Sequence, residues 1–426
     1  MVDFKAPIHA YLELTQVCNL KCGHCMNYTR FNDQSYSEGR FMDIADKIDQ
    51  WDIFNVAITG GEVLLRKPQL YALLDTFSRK GIRVAINTNL TRITSDDARK
   101  LKDYGVFGIL TSLNGPSQEI HDSIVNKDGA FKQTTNGIEE VVRAGIPIGV
   151  NFVATKGSKD FVYETGRLAK NLGADYFSST PLIPNSTCID EHMSQSLSPE
   201  EMLRLLLDLH GIQEDFGLDT ELQRVIPYCF FWDHEELRHL AKVGCVVGKS
   251  SVNIKPDGSV TSCSALNDSF GNVLEDDLND IWQRVLNSKY PSYDVCKSCD
   301  MESSCSGGCK VENAAYESRS KRNPLIKSPI KLKPIDEEVQ LVEGDILVPA
   351  YHRLDIRDES DNSYLMIVDD KTHSFVSSDG LRLIELINNS GGIIVSQGLV
   401  SDSKKRDNLK RLIKNNILRL QEEHIK

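Results

Sequence analysis

Three cysteines, Cys18, Cys22 and Cys25, stand in a C-x3-C-x2-C spacing just after an apolar run, Ala10 to Leu14, that reads as a strand. Three thiolates can hold three corners of a [4Fe–4S] cube and leave the fourth iron free for an exchangeable ligand. A zinc ion normally closes with four ligands, usually from two C-x2-C pairs, and the next cysteine along the chain is Cys188. Three unrelated buried cysteines are the bland alternative; clustering on a short polar loop argues against it. A second field lies far downstream. Cys245 and Cys263 flank Gly258 as C-x12-G-x4-C, and Cys296, Cys299, Cys305 and Cys309 follow as C-x2-C-x5-C-x3-C. Thiolates this dense point to metal, with two structural zincs as the rival to iron–sulfur clusters. Cys229 sits in an aromatic knot, Tyr228 to Trp232, and Cys188 in a loop.

The elements that must carry the first loop alternate. Val56–Thr59, Arg83–Asn87, Phe107–Ser112, Ile146–Thr155 and Asp175–Thr180 read as buried strands after the first one. Between them lie helical patterns: Ala98–Tyr104 behind a capping-box start at Thr94, Phe131–Ala144, and Phe161–Leu172 stopped by Gly173. Six strands separated by helices predict a parallel sheet that curls into a partial (β/α)6 barrel, whose chemistry belongs at the strands' C-terminal ends. The cysteine loop follows strand one. Thr59-Gly60-Gly61-Glu62 follows strand two, where glycines permit close approach to a ligand and a carboxylate can meet an ammonium group.

Composition sets bounds. The chain has 426 residues, enough for two or three domains, with 40% hydrophobic residues and a net charge of −12. That charge argues against a general nucleic-acid binder. The start lacks a secretory layout and no apolar run approaches a membrane span, so a cytoplasmic protein with no membrane partner is expected. Eleven cysteines in such a chain point to metal ligands, and an odd count cannot pair fully.

The cysteine loop, with Gly60-Gly61-Glu62 behind strand two, resembles the radical S-adenosylmethionine (SAM) enzymes. In that family the free iron chelates SAM, and reduction cleaves it to methionine and a 5'-deoxyadenosyl radical. The family usually has an aromatic residue before the last cysteine; His24 stands here. Asn87-Thr88-Asn89 resembles the usual Thr-Asn-Gly, with Leu90 in place of glycine. Ser112-Leu113-Asn114-Gly115 resembles a Ser-Leu-Asp-Gly run that meets the SAM ribose. His121-Asp122 and Gly129-Ala130-Phe131 fall where relatives carry His-Asp and Gly-Ser-Phe, though the residue-level alternative for each is a cap or a turn. The resemblance implies metal ligands Cys18, Cys22 and Cys25, and SAM contacts from His24, Met26, Gly60, Gly61, Glu62, Asn87, Ser112 and Asn114.

The second cysteine field resembles the SPASM extension of radical SAM maturases, which holds one or two auxiliary [4Fe–4S] clusters. Lys255-Pro256-Asp257-Gly258 reads as a hairpin turn, and Gly271-Asn272 with Trp282 matches the extension's GN…W run. By that family's crossed ligation, Cys245, Cys263 and Cys309 would hold a nearer cluster, with Cys229 as the candidate fourth ligand. Cys296, Cys299 and Cys305 would hold an outer one. The further cysteine that normally closes the outer set is missing, and Lys327 stands near its place; a non-cysteine group, a small molecule or Cys188 would have to serve.

The expected layout is a barrel over residues 1–190, a bridge over 191–244, the SPASM-like region over 245–317, a linker over 318–345 and a small winged-helix-like α+β domain over 346–426. In the bridge, Ser198 opens a helix expected to run to about Gly211. In the tail, strands at Leu354–Arg357, Tyr364–Val368 and Ser374–Ser377 precede a helix capped by Asp379 and a last helix with Leu409, Leu412, Ile413, Ile417 and Leu420 on one stripe. The tail resembles a PqqD-like recognition element, which binds a peptide leader along a strand edge. The whole then implies a maturase that crosslinks or epimerises a ribosomally made precursor peptide, fed by a flavodoxin- or ferredoxin-type donor. A maturase of protein side chains, a small-molecule radical enzyme, and a non-catalytic iron–sulfur sensor that binds DNA are the alternatives.

Overall fold

The computed structural model describes residues 4–25, 40–184, 189–241 and 244–331. Further on, it describes only 346–349, 354–358, 363–368, 372–377, Ile384, 393–394 and 418–420. The chain divides into two compact units, Met1–Leu332 and Lys333–Lys426.

The first unit alternates strands and helices: β1 His9–Thr15, α1 Arg40–Gln50, β2 Asn55–Gly60, α2 Lys67–Lys80, β3 Arg83–Asn87, α3 Ser95–Asp103, β4 Gly108–Ser112, α4 Gln118–Val125, α5 Ala130–Arg143, β5 Ile148–Ala154, α6 Val162–Asn171 and β6 Tyr176–Pro181. Then come α7 Ile189–Gln195, α8 Pro199–Phe216 and β7 Asp219–Leu222. The cysteine-rich part contributes β8 Ser251–Ile254, β9 Val260–Thr261, α9 Leu278–Leu286, α10 Asp294–Lys297, α11 Glu302–Cys305 and α12 Lys310–Glu317. The sheet runs β7-β6-β5-β4-β3-β2-β1-β8-β9. Every neighbour is parallel except the β8–β9 hairpin. Among the described residues β7 and β9 are its two edges, so the sheet curls without closing. Leu12, Ile58, Ile86, Val150, Phe152 and Phe177 are buried between sheet and helices.

The six expected strands are present, but the sheet is wider than six. β7 extends it beyond β6, and β8 joins β1 in parallel, with His9 opposite Ser251. Thus the expected bridge and hairpin are continuous with the barrel sheet. Helix α8 passes Gly211 and stops at Gly217, whose φ of 56° is the left-handed cap glycine favours. Gly211 is tolerated within the helix because Tyr163 packs over it.

The segment expected to be a linker also packs. Asn323, Leu325, Ile326 and Ile330 are buried, and the Asn323 amide donates to Glu312 (3.1 Å) and Asn313 (3.0 Å). The first unit therefore keeps the chain well past Ser318.

In the tail, β10 Ile346–Pro349 pairs antiparallel with β14 Ile393–Ile394 and β15 Leu418–Leu420, while β11 Leu354–Asp358, β12 Ser363–Val368 and β13 Thr372–Ser377 form a meander. The three expected tail strands match the meander. Leu420, read as the end of a helical stripe, lies instead in β15; Leu-Arg-Leu fits a period of two as well as the last turn of a helix. Asp379, Leu409, Leu412, Ile413 and Ile417 lie outside the described residues. Among the described residues no helix is long and apolar enough to cross a membrane.

The GN…W run has a structural role. The Asn272 amide donates to the Asp257 carbonyl (2.9 Å) at the hairpin turn. Trp282, fully buried on α9, donates its indole N–H to the Phe4 carbonyl (2.6 Å), fastening the segment before β1 to the cysteine-rich part. Trp282→Phe, which keeps an aromatic ring but loses this bond and leaves part of the indole's volume empty, should cost about 2–3 kcal/mol in urea unfolding. Trp282→Ala should cost about 3–5 kcal/mol.

Candidate functional site

The cysteine loop leaves β1 and is held at both ends by backbone. The Gly61 N–H donates to the Thr15 carbonyl (2.6 Å) and the Glu62 N–H to the Val17 carbonyl (2.9 Å). A Cβ on Gly60 would fall 2.2 Å from the Thr15 oxygen, and one on Gly61 would fall 2.2 Å from the Val17 oxygen. The glycine pair thus makes room for the chain's own backbone. At the far end Lys21 N–H donates to the Val125 carbonyl (3.1 Å), Gly23 N–H to Ile124 (3.4 Å), and the Asn126 amide to Lys21 (2.8 Å). Leu20 packs with Val125 and Ala130, beside Cys18 and Cys22.

Glu62 is fully buried. One carboxylate oxygen accepts from Leu64 N–H (2.9 Å) and the Thr88 hydroxyl (2.6 Å), and the other from Asn89 N–H (2.7 Å). Burial pushes its carboxyl above the usual carboxylate range against the pull of these bonds. The group expected to meet SAM is therefore largely engaged within the chain, tying the end of β2 to the end of β3.

Thr88 and Asn89, part of the quoted motif but not among the expected SAM contacts, do more here than Asn87. The Asn89 amide donates to Asn19 (3.0 Å) and approaches the Cys18 sulfur (3.9 Å). Its oxygen accepts from the Thr91 backbone and hydroxyl. Leu90, in glycine's usual place, is buried with φ of 58°. Gly137 on α5 makes room for it: a Cβ there would fall 2.6 Å from the Leu90 oxygen and 2.7 Å from its Cβ. Asn87 and Ser112 are half-buried at the ends of β3 and β4.

Asn114 is buried and tied on two sides. Its N–H donates to His121 Nδ1 (3.1 Å), and its side-chain oxygen accepts from Val153 N–H (3.0 Å). His121 is kept neutral, its pKa lowered to about 4 mainly by burial. Because Nδ1 accepts, Nε2 carries the proton. That Nε2 and the Asn114 amide nitrogen are buried without a partner. Asp122 accepts from Gly129 and Phe131 N–H groups (2.7 Å each), capping α5. The two downstream motifs therefore act as supports, fixing Asn114 and Ala130.

Cys18, Cys22 and Cys25 converge. Burial is the main reason that Cys18 rises to about 11, and each of Cys18 and Cys22 is further raised by its cysteine neighbours. His24, half-buried between the last two cysteines, is lowered to about 4 by burial and by His192 and His121 nearby. Thiols crowded in this way suit a cation that replaces their protons. Among the described residues no three His, Cys, Asp or Glu side chains close around a single ion; a cube takes each thiolate at its own iron and so sets them wider apart. Met26 and Cys188 lie outside the described residues.

The downstream cysteines separate into two groups. Burial raises the thiol pKa of Cys263 and Cys309 and nearby Cys245 raises both further; Tyr11 on β1 is raised by burial and then by Cys263 and Cys245, which places this group beside β1. Cys229, expected with that group, lies instead with Cys296, Cys299 and Cys305 around one cavity. The 3-10 turn at Tyr228–Phe230 turns it there, with Phe230 and Phe231 buried behind. Buried Arg224 pairs with buried Glu312 (3.2 Å) and donates to the Leu182 carbonyl (2.8 Å), joining the end of β6 to α12 next to Cys309.

Gly61→Ala should dislodge the cysteine loop, so that anaerobically reconstituted protein loses the iron of Cys18, Cys22 and Cys25. Stability should also depend on pH. The unfolded chain protonates His121 near 6.5 while the folded one resists to about 4, so stability is lost as pH falls through that window. His121→Gln should flatten this part of a urea-unfolding series taken from pH 7 to 4.

Comparison with known proteins agrees with this geometry. A model described as "Radical SAM superfamily" matches residues 12–168, and one described as "Iron-sulfur cluster-binding domain" matches residues 245–305. The mycofactocin maturase MftC of Mycolicibacterium smegmatis is 30% identical over 326 residues, 71% of this chain and 78% of that protein. The subtilosin biosynthesis protein AlbA of Bacillus subtilis is 26% identical, over 80% of this chain and 75% of its own. An AdoMet-dependent heme synthase of Oleidesulfovibrio alaskensis is 25% identical, over 76% and 87%. The crystal structure of Streptococcus suis SuiB bound to the precursor peptide SuiA shares the fold, with a TM-score of 0.61 and 18% identity over 76% of each chain. Sequence, fold and relatives agree that this chain belongs to the radical SAM superfamily and carries a SPASM iron–sulfur domain.

Proposed function

We propose that this enzyme modifies a ribosomally made peptide, forming a thioether or carbon–carbon crosslink or inverting a centre. The observation that carries the reading is the cysteine loop, fastened to the ends of β2, β3 and α4 at the C-terminal edge of a parallel sheet. Relatives named as maturases support the peptide as substrate, as does a neighbour solved with its precursor peptide. With cluster and SAM bound, the site supplies one-electron cleavage to a deoxyadenosyl radical that takes hydrogen from carbon. Cys18, Cys22 and Cys25 would hold three irons. The unpartnered donors of Asn114 and His121 suit nucleoside oxygens. Glu62 positions the strand ends more than it binds. The curled sheet and its helices exclude water from a reactive species.

The downstream cysteines would hold auxiliary clusters that carry an electron between the peptide and a flavodoxin- or ferredoxin-type donor of the cytoplasm. The tail supports leader binding: among the described residues β11 and β13 edge a short antiparallel meander to which a peptide strand could add. The heme synthases among the relatives favour a second reading, a small-molecule substrate.

Anaerobic incubation with SAM and dithionite should yield 5'-deoxyadenosine, and Cys22→Ala should abolish it. Co-expression with a small open reading frame beside the gene should change that peptide's mass. Removing residues 333–426 should weaken leader binding about tenfold or more while SAM cleavage persists. No deoxyadenosine would sink the radical reading; deoxyadenosine with no peptide altered would favour the small molecule.

A further inference from the structure

Cys229 precedes the matched iron–sulfur region, yet it lines the same cavity as Cys296, Cys299 and Cys305. That cavity is walled on its other side by Ile326–Ile330. Three backbone N–H groups point at its sulfurs: Lys327 to Cys229 (3.3 Å), Ile330 to Cys299 (3.2 Å) and Tyr228 to Cys305 (3.2 Å). Hydrogen bonds of this kind stabilise a ligating thiolate and tune its cluster.

The wall is built for close approach. Gly308 has φ of 89°, and a Cβ there would fall 2.8 Å from Pro227 Cδ and 3.0 Å from Pro227 N. Only glycine lets the turn that carries Cys229 come so near the Cys305–Cys309 loop. On the opposite side, the missing SPASM cysteine would have stood near Lys327. The Lys327 N–H instead faces the Cys229 sulfur, so the segment that lacks a thiolate shelters one brought from upstream.

We infer that Cys229 is the fourth ligand of the outer cluster, a [4Fe–4S] cube held by Cys229, Cys296, Cys299 and Cys305. This rests on the iron–sulfur reading of the downstream cysteines. Each thiol gives up its proton to solvent on ligation. The outer cube is then closed by protein and suited to carrying electrons, with no iron left for substrate. The Cys245, Cys263 and Cys309 group keeps three thiols among the described residues.

The test uses the full chain with Cys18, Cys22 and Cys25 replaced by Ala, so that only auxiliary iron remains. Protein reconstituted anaerobically with iron and sulfide is assayed for iron and by EPR after reduction. Cys229→Ala should remove or shift the same EPR signal that Cys296→Ala removes, with a loss of up to about four irons per chain. Cys229→Ser should retain iron with shifted g values. Cys229→Ala combined with Lys327→Cys should restore the signal by supplying a thiolate from the opposite wall, which also shows that the chain still folds. The assignment is overturned if Cys229→Ala leaves that signal as in the parent, or if it alters the signal that Cys263→Ala removes. It is equally overturned if Cys188→Ala is what abolishes the outer signal. A parent that takes up no auxiliary iron overturns the assignment together with the iron–sulfur reading; an unmoved signal in an iron-loaded parent overturns the assignment alone.

Discussion

The cysteine loop depends on one close backbone contact, Gly60-Gly61 against Thr15–Val17. No side chain fits between these segments, and the two N–H bonds across the contact continue the β1–β2 pairing past the strands' ends. Glu62 then transmits the position of β2 to β3 through Thr88 and Asn89. Burying a carboxylate costs several kcal/mol, and three hydrogen bonds to a charged acceptor offset it at about 1.5–3 kcal/mol each. The local balance is near even. What the arrangement secures is geometry: three strand ends share one anchor before any cofactor arrives.

The downstream cysteines obey a related rule with charge in place of contact. Two groups of thiols lie near each other, and two lysines meet at Ser306: Lys310 donates to its carbonyl (3.0 Å) and Lys249 to its hydroxyl (2.8 Å). Burial disfavours the Lys310 ammonium, while Cys245, Cys305 and Cys296 favour it. One cation thus feels sulfurs of both groups. Buried Arg224 and Glu312 add a neutral pair beside Cys309. Positive charge placed here suits thiolates that are drawn together around iron.

Much of this was legible in the sequence because it is local. The Thr94–Asp97 capping box, the β8–β9 hairpin at Gly258 and the six strands follow from short-range pattern, and the structure has them. What was hidden needed three dimensions. Asp219–Leu222 is too short and acidic to announce a strand, yet β6 offers it an edge. The basic, proline-bearing run after Ser318 looks solvated, but Asn323 finds two buried partners. Cys229, expected with Cys245, Cys263 and Cys309, lines the cavity of Cys296, Cys299 and Cys305, since sequence distance does not reveal which wall a turn faces. His121 and Asp122 carried a family signature whose local use is capping and support.

Leu90 and Gly137 carry a consequence for how such chains diverge. A left-handed leucine beside the radical loop is tolerable only where the facing helix has surrendered its side chain. Glycine in the loop would relieve only part of this crowding, because a Cβ on the helix would still fall 2.6 Å from the loop's own carbonyl oxygen. The helix position is therefore held to glycine by the loop's backbone as well as by its side chain, through excluded volume and indifferent to the chemistry a few ångströms away.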